Sequence, residues 1–138
     1  MIVLPLARGE TVLVVEQDAA RRLRDEELLA ALGYEPVGFG GAPASIAACH
    51  ESPKRFDVVV LGRLSPDTRA LDLTAALHGI APHLPVLLTM TAVDNCDADS
   101  LANAGVTDVV SWPLNAAEIA AALQRCLQRL SGAARRRV

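Results

Sequence analysis

Four short runs of aliphatic residues punctuate the chain: Val12–Val15, Val58–Leu61, Val86–Leu88 and the weaker Val106–Val110. Within each run apolar residues are consecutive and do not alternate with polar ones. That pattern predicts strands buried on both faces, as in a parallel sheet covered by helices. Glu35–Phe39, with its glycine and single aromatic, reads as a fifth strand at an edge. Between the runs the spacing becomes helical. Asp18 is placed to cap a helix over Ala19–Leu32 that stops at Gly33. Pro43 suits the first position of a helix reaching His50. Thr68–His78 and Asp97–Ala104, the latter ending at Gly105, follow the third and fourth strands. In the last helix Asn115 and Glu118 form a capping-box pair, and Ile119, Leu123, Cys126, Leu127 and Leu130 recur at helical spacing. Five alternations of strand and helix predict an α/β fold, a doubly wound five-stranded parallel sheet in the order 2-1-3-4-5.

This pattern fills residues 11–130. Residues 1–10 read as a linker or the end of a preceding domain, and residues 131–138, with Gly132 and Arg135–Arg137, as a frayed solvated tail. The 138 residues suffice for one core, and with 51% hydrophobic but only 3% aromatic residues that core is aliphatic. A net charge of −3 gives no nucleic-acid footprint. No apolar run approaches the roughly 18 residues of a membrane span. Cys49, Cys96 and Cys126 are widely spaced, without a CxxC or Cys/His cluster, and read as reduced thiols of a cytoplasmic protein.

Val12-Leu13-Val14-Val15-Glu16-Gln17-Asp18 resembles the first strand of a response-regulator receiver domain, where aliphatics run directly into acidic residues. Asp57–Leu61 resembles the third strand, Ser65-Pro66 the loop after it, Ala70–Leu73 the start of the third helix, and Pro85–Thr89 the fourth strand. Ala104–Asp108 and Trp112-Pro113-Leu114 resemble the fifth strand and its exit. The ordered set runs from Thr11 to Leu130 and implies the flavodoxin-like, CheY-like version of the fold. It also implies a chemistry. Two acidic groups after the first strand and one after the third hold Mg²⁺. The third-strand aspartate accepts phosphoryl from a phosphohistidine. A hydroxyl on the fourth strand and a lysine on the fifth neutralise the phosphoryl oxygens.

Carried onto this chain, that pattern is altered at each key position. The nucleophile position is Gly62, the acidic pair is Glu16 and Gln17, the hydroxyl position is Met90 between Thr89 and Thr91, and the lysine position is Trp112. Lys54, the single lysine, precedes the third strand. The expectation is a vacant receiver pocket bounded by Glu16, Gln17, Asp18, Gly62, Met90 and Trp112, without catalytic residue, metal or cofactor. Asp18 reads as a helix cap, and Asp67 as the cap of the following helix or, in a rival reading, a substitute acceptor. His50, His78 and His83 read as surface residues. Trp112, the one tryptophan, precedes a proline where the family commonly has a cis bond. It either fills the space of the lost acid–lysine cluster or faces outward as a binding anchor.

The resemblance therefore points to a pseudo-receiver, a non-enzymatic protein-interaction module acting without phosphorylation. Its partner face is the family's fourth helix, fifth strand and fifth helix, here Ala98, Leu101, Ala102, Val109, Glu118, Ala121, Ala122 and Arg125. The expected partner is a histidine-kinase core, another receiver or a second copy, with neither nucleic acid nor membrane. Ile2–Leu6 resembles the end of a sensor-kinase ATP-binding domain, which implies the carboxy-terminal receiver of a hybrid histidine kinase. Two rivals are a phospho-acceptor using Asp67 or Glu16 and a flavodoxin-like small-molecule binder. Against the latter, Gln17-Asp18-Ala19 offers no glycine-rich or Ser/Thr-rich phosphate cradle. Returning Gly62→Asp, Gln17→Asp and Trp112→Lys together is expected to give at least weak phosphorylation, and Gly62→Asp alone none.

Overall fold

A computed structural model describes residues 7–90 and 98–136, with the side chains of 98 and 129–136 excepted. Its strands are β1 Thr11–Val15, β2 Glu35–Phe39, β3 Val58–Leu61, β4 Val86–Met90 and β5 Asp108–Ser111. The helices are α1 Ala19–Ala31, α2 Ala42–Glu51, α3 Ala70–Ile80, α4 Ala98–Asn103 and α5 Ala116–Arg136. All strand pairs are parallel and the order is β2-β1-β3-β4-β5, with the glycine-bearing β2 at an edge.

The continuous aliphatic runs divide between two cores because successive side chains leave opposite faces of a strand. Val12, Val14, Val58, Val60, Leu87 and Val110 meet α1 and α5 through Leu29, Ile119 and Leu123. Leu13, Val15, Val59, Leu61, Val86 and Leu88 meet α2, α3 and α4 through Cys49, Leu73, Leu77 and Leu101. Gly33 and Gly105 stop α1 and α4 in the left-handed region, at φ 93° and 95°. In both turns the next residue's N–H reaches five residues back, Tyr34 to Leu29 and Val106 to Leu101, so the last helical carbonyls are satisfied.

Several boundaries differ from the sequence expectation. α5 continues to Arg136 instead of fraying after Leu130, since the Ala-Arg run beyond Gly132 has high helix propensity. α3 begins at Ala70, with Arg69 in the cap position and no side-chain cap bond. Asp67 is exposed before that start and does not cap the helix. The capping box of α5 is half formed. Asn115 Oδ1 accepts from the Glu118 N–H at 3.1 Å, but the Glu118 carboxylate accepts from the Ser111 N–H at 2.7 Å and ties β5 to α5. His78 is half-buried, its Nε2 2.8 Å from the Leu84 carbonyl oxygen, and is thus an internal brace between α3 and the approach to β4. His50 and His83 are exposed as expected. Cys49 and Cys126 are buried in the core. Ile2–Leu6, Thr91, Cys96 and Asp97 lie outside the described residues.

Candidate functional site: the carboxyl end of the sheet

Open α/β sheets place their sites at the carboxyl ends of the strands, beside the point where strand order reverses. Here that point lies between β1 and β3, and Glu16 and Gly62 are the first residues beyond those strands. The Gly62 N–H donates to the Val15 carbonyl at 2.7 Å and the Gln17 N–H to the Arg63 carbonyl at 2.7 Å, so the two exits run side by side.

Glu16 turns inward and is 0% exposed. Its Oε2 accepts from the Asp18 N–H at 2.8 Å and its Oε1 from the Arg63 N–H at 3.0 Å. Arg21 Nε stands 3.6 Å from Oε1. The carboxylate thus has two backbone donors and a cation, which is what a buried charge requires. The Glu16 backbone carbonyl accepts from Arg22 Nη1 at 2.8 Å. Arg22 lies across β2 where Gly38 and Gly40 leave room, and a Cβ at Gly40 would stand 3.1 Å from Nη1.

Gly62 is essential to this arrangement. A Cβ there would lie 2.6 Å from Glu16 Oε1, 3.2 Å from Cδ and 3.4 Å from Cβ. The space is therefore not vacant, contrary to the sequence expectation, because the longer Glu16 side chain fills what Gly62 leaves open.

The Arg21 guanidinium carbon lies 3.4 Å from the centre of the Trp112 ring, a cation–π contact. Trp112 is half-buried, its bond to Pro113 is cis, and its backbone N–H donates to the Met90 carbonyl at 3.0 Å. The indole N–H is buried without a hydrogen-bond partner. Asp25, on α1 one turn after Arg21, is 2% exposed. Burial above all, and then the charge of Glu16, push its carboxyl up to about 6, against the opposing pull of Trp112, Arg21 and Arg24.

The remaining predicted pocket positions border this cluster. Gln17 and Asp18 are exposed. Asp18 caps α1, accepting from the Arg21 N–H at 2.9 Å, and this bond holds its carboxyl below the usual range. Met90 is half-buried at the end of β4, and the Thr89 hydroxyl donates to the Leu61 carbonyl at 3.1 Å. On the expected partner face Ala102, Val109, Glu118, Ala121 and Arg125 are exposed. Leu101 and Ala122 are not, being core residues 6% and 0% exposed. They sit on the inward sides of α4 and α5, which helical spacing alone did not separate from the outward sides. Ala98 lies within α4, and its side chain is outside the described set. Arg125 and Asp108 form an exposed ion pair at 2.9 Å beside Val109.

Two residues of the cluster, Arg21 and Asp25, were missed in the sequence, where Arg21–Glu27 resembles a solvated charged face. A signal existed, since Asp25, Leu29 and Leu32 share the core-facing register of α1.

Among the described residues, this end of the sheet does not fit Mg²⁺. The one inward carboxylate at the aligned positions is taken by two N–H groups and Arg21, Gly62 offers no ligand, and no group of three or more His, Cys, Asp or Glu among the described residues converges on a metal position.

The strand order and the paired exits of β1 and β3 are those of a receiver domain of the CheY type. The chain belongs to the family described as flagellar regulatory protein FleQ, whose model matches residues 11–128. A receiver domain protein from Clostridium thermocellum has the same fold, with a TM-score of 0.80 at 19% identity over 87% of this chain and 95% of that one. A pilus assembly-related protein from Burkholderia pseudomallei superposes with a TM-score of 0.75 at 26% identity, covering 92% of this chain and 96% of that one. Transcription factor SKN7 of Chaetomium thermophilum is 22% identical over 119 residues, 86% of this chain but only 16% of SKN7.

Proposed function

We propose that this receiver domain has lost phosphoryl acceptance and serves as a phosphorylation-independent protein-interaction module. The observation that carries this reading is the packing of Glu16 against Gly62. The nucleophile position has no side chain, and the space before it holds a carboxylate already engaged by Asp18, Arg63 and Arg21. Neither substitute acceptor is favoured. Glu16 is fully buried, and Asp67 is exposed in the loop between β3 and α3.

The partner face of this reading comprises Ala102, Val109, Glu118, Ala121 and Arg125. Val109, 38% exposed, gives it an apolar centre, and the Asp108–Arg125 pair a polar border. Its partner is a kinase core, another receiver or a second copy of the chain. The setting we assign is a larger signalling protein. The resemblance of Ile2–Leu6 to the end of a kinase ATP-binding domain supports a hybrid kinase in particular, and the flanking sequence of the parent protein tests that setting directly.

Incubation with acetyl phosphate or a phosphohistidine donor and Mg²⁺ is expected to leave the intact mass of the chain unchanged. A stoichiometric gain of one phosphoryl group mapped to any Asp or Glu overturns the reading.

A further inference from the structure

An open sheet has two edges whose main-chain groups invite another strand, and this chain closes its two edges differently. At β2 the Glu35 N–H donates inward to the Glu10 carbonyl at 2.9 Å, so Pro36 and Gly38 face the open side. Pro36 has no N–H to offer, and the Glu26 carboxylate lies over Gly38. At β5 no proline interrupts the strand. The Trp112 N–H donates inward to the Met90 carbonyl at 3.0 Å, and alternation along the strand therefore turns Val109 and Ser111 to the open side. Both of their N–H groups are taken by carboxylates of the same chain. The Val109 N–H donates to Asp108 Oδ1 at 2.9 Å, and the Ser111 N–H to Glu118 Oε1 at 2.7 Å. Arg125 holds Asp108 in turn, its Nε and Nη2 donating to Oδ2 at 3.1 and 2.9 Å. These bonds lie at the exposed surface, where water competes with each of them and displacement costs little.

We propose that the β5 edge is a strand-addition site for a second copy of this chain, kept closed in the single chain by the Asp108 and Glu118 carboxylates. The edge is self-complementary. With two β5 strands antiparallel about a two-fold axis at Val110, Val109 of each copy faces Ser111 of the other, and the N–H and C=O groups of each such pair exchange hydrogen bonds. The pairing also covers Val109, one of the exposed large apolar side chains, at 38%. While the carboxylates stay in place they fill the donors that a second strand needs, and they set like charges of two copies against each other. Once displaced from the Val109 N–H, Asp108 keeps Arg125 through Oδ2, so its charge stays paired. This inference rests on the partner-face reading above and deepens it. The partner is a second copy, and the groups that join the two are the main chain of β5 and not the side chains of the flanking helices.

Asp108→Ala combined with Glu118→Ala bares both N–H groups. Sedimentation of the full chain over a range of concentrations, with hydrogen exchange of the Val109 and Ser111 amides, tests the site. The double variant is expected to self-associate roughly tenfold more tightly than the unaltered chain, or better, and its two amides to exchange more slowly as the dimer forms. Unchanged self-association overturns the proposal. So does a dimer in which both amides exchange as fast as in the single chain, because that dimer is joined through the helices. An unaltered chain that is already as tightly dimeric, with both amides protected, refutes the closed state. Should the double variant not fold, Glu118→Ala alone decides: it bares only the Ser111 N–H and is expected to gain a smaller part of the affinity, and no gain refutes the site. Phosphorylation of the chain would defeat the pseudo-receiver reading without changing these results, so the two failures are distinguishable.

Discussion

Gly62→Asp is expected to destabilise the fold by roughly 3 kcal/mol or more and to leave the chain unphosphorylated. The backbone at Gly62 is not left-handed, so the cost is steric and electrostatic, without a conformational penalty. A Cβ already meets Glu16 Oε1 at 2.6 Å, and that oxygen cannot swing aside without breaking its bond from the Arg63 N–H. The new carboxylate would also stand against a buried carboxylate with only Arg21 between them. Gly62→Ala, which adds bulk without charge, is expected to cost about 1–3 kcal/mol. Urea denaturation midpoints of the two variants check the ranking, and equal stability of Gly62→Asp and the unaltered chain would contradict it. On the same geometry, Glu16→Asp, one methylene shorter, is expected to raise the weak phosphorylation of the Gly62→Asp, Gln17→Asp and Trp112→Lys variant, because it withdraws the carboxylate from the Gly62 position.

Arg21→Met is expected to cost about 3–5 kcal/mol, because it strands the Glu16 charge in a buried site with only neutral donors. Trp112 loses its stacked guanidinium at the same time, which is expected to alter its emission. Glu16→Gln combined with Arg21→Met removes both charges and keeps comparable volumes. That double variant is expected to lie within about 1–2 kcal/mol of the unaltered chain, or above it, as replaced buried pairs often do. A double-mutant cycle measured by denaturation reads this coupling directly. Additive losses would show that Glu16 and Arg21 do not act as a pair.

Strands β1, β3 and β4 were legible because burial on both faces leaves a continuous aliphatic run that few other elements produce. The edge strand β2 and the order of the sheet followed from the alternation of elements and the glycine content of residues 35–39. Helix ends were legible where the chain turns left-handed at Gly33 and Gly105. They were less so at Gly132, a glycine that the long α5 tolerates within its span. At the site, the substitutions at Gly62, Gln17, Met90 and Trp112 could be read residue by residue. Their repacking could not, since it depends on how far the Glu16 side chain reaches across β3 and on Arg21 arriving from α1. Those are distances between elements, and no local pattern encodes them. Asp25 was the one residue whose register along α1 carried a warning, an acid on the stripe that Leu29 and Leu32 assign to the core.

The Asp18 and Arg63 amides donate to the Glu16 carboxylate, Gly62 lies beside it and Trp112 stacks on its Arg21 partner, so these groups would be the first to sense an occupied receiver pocket. Their resonances, followed in a labelled chain while Mg²⁺ and then beryllofluoride, a phosphoryl mimic, are added at constant ionic strength, test the self-filled pocket directly. The expected result is that these signals do not move in a saturable way with either addition. A saturable shift of Gly62 and Arg63 that requires both Mg²⁺ and beryllofluoride would contradict it, since it would mean that Glu16 yields its place to a metal and a phosphoryl group.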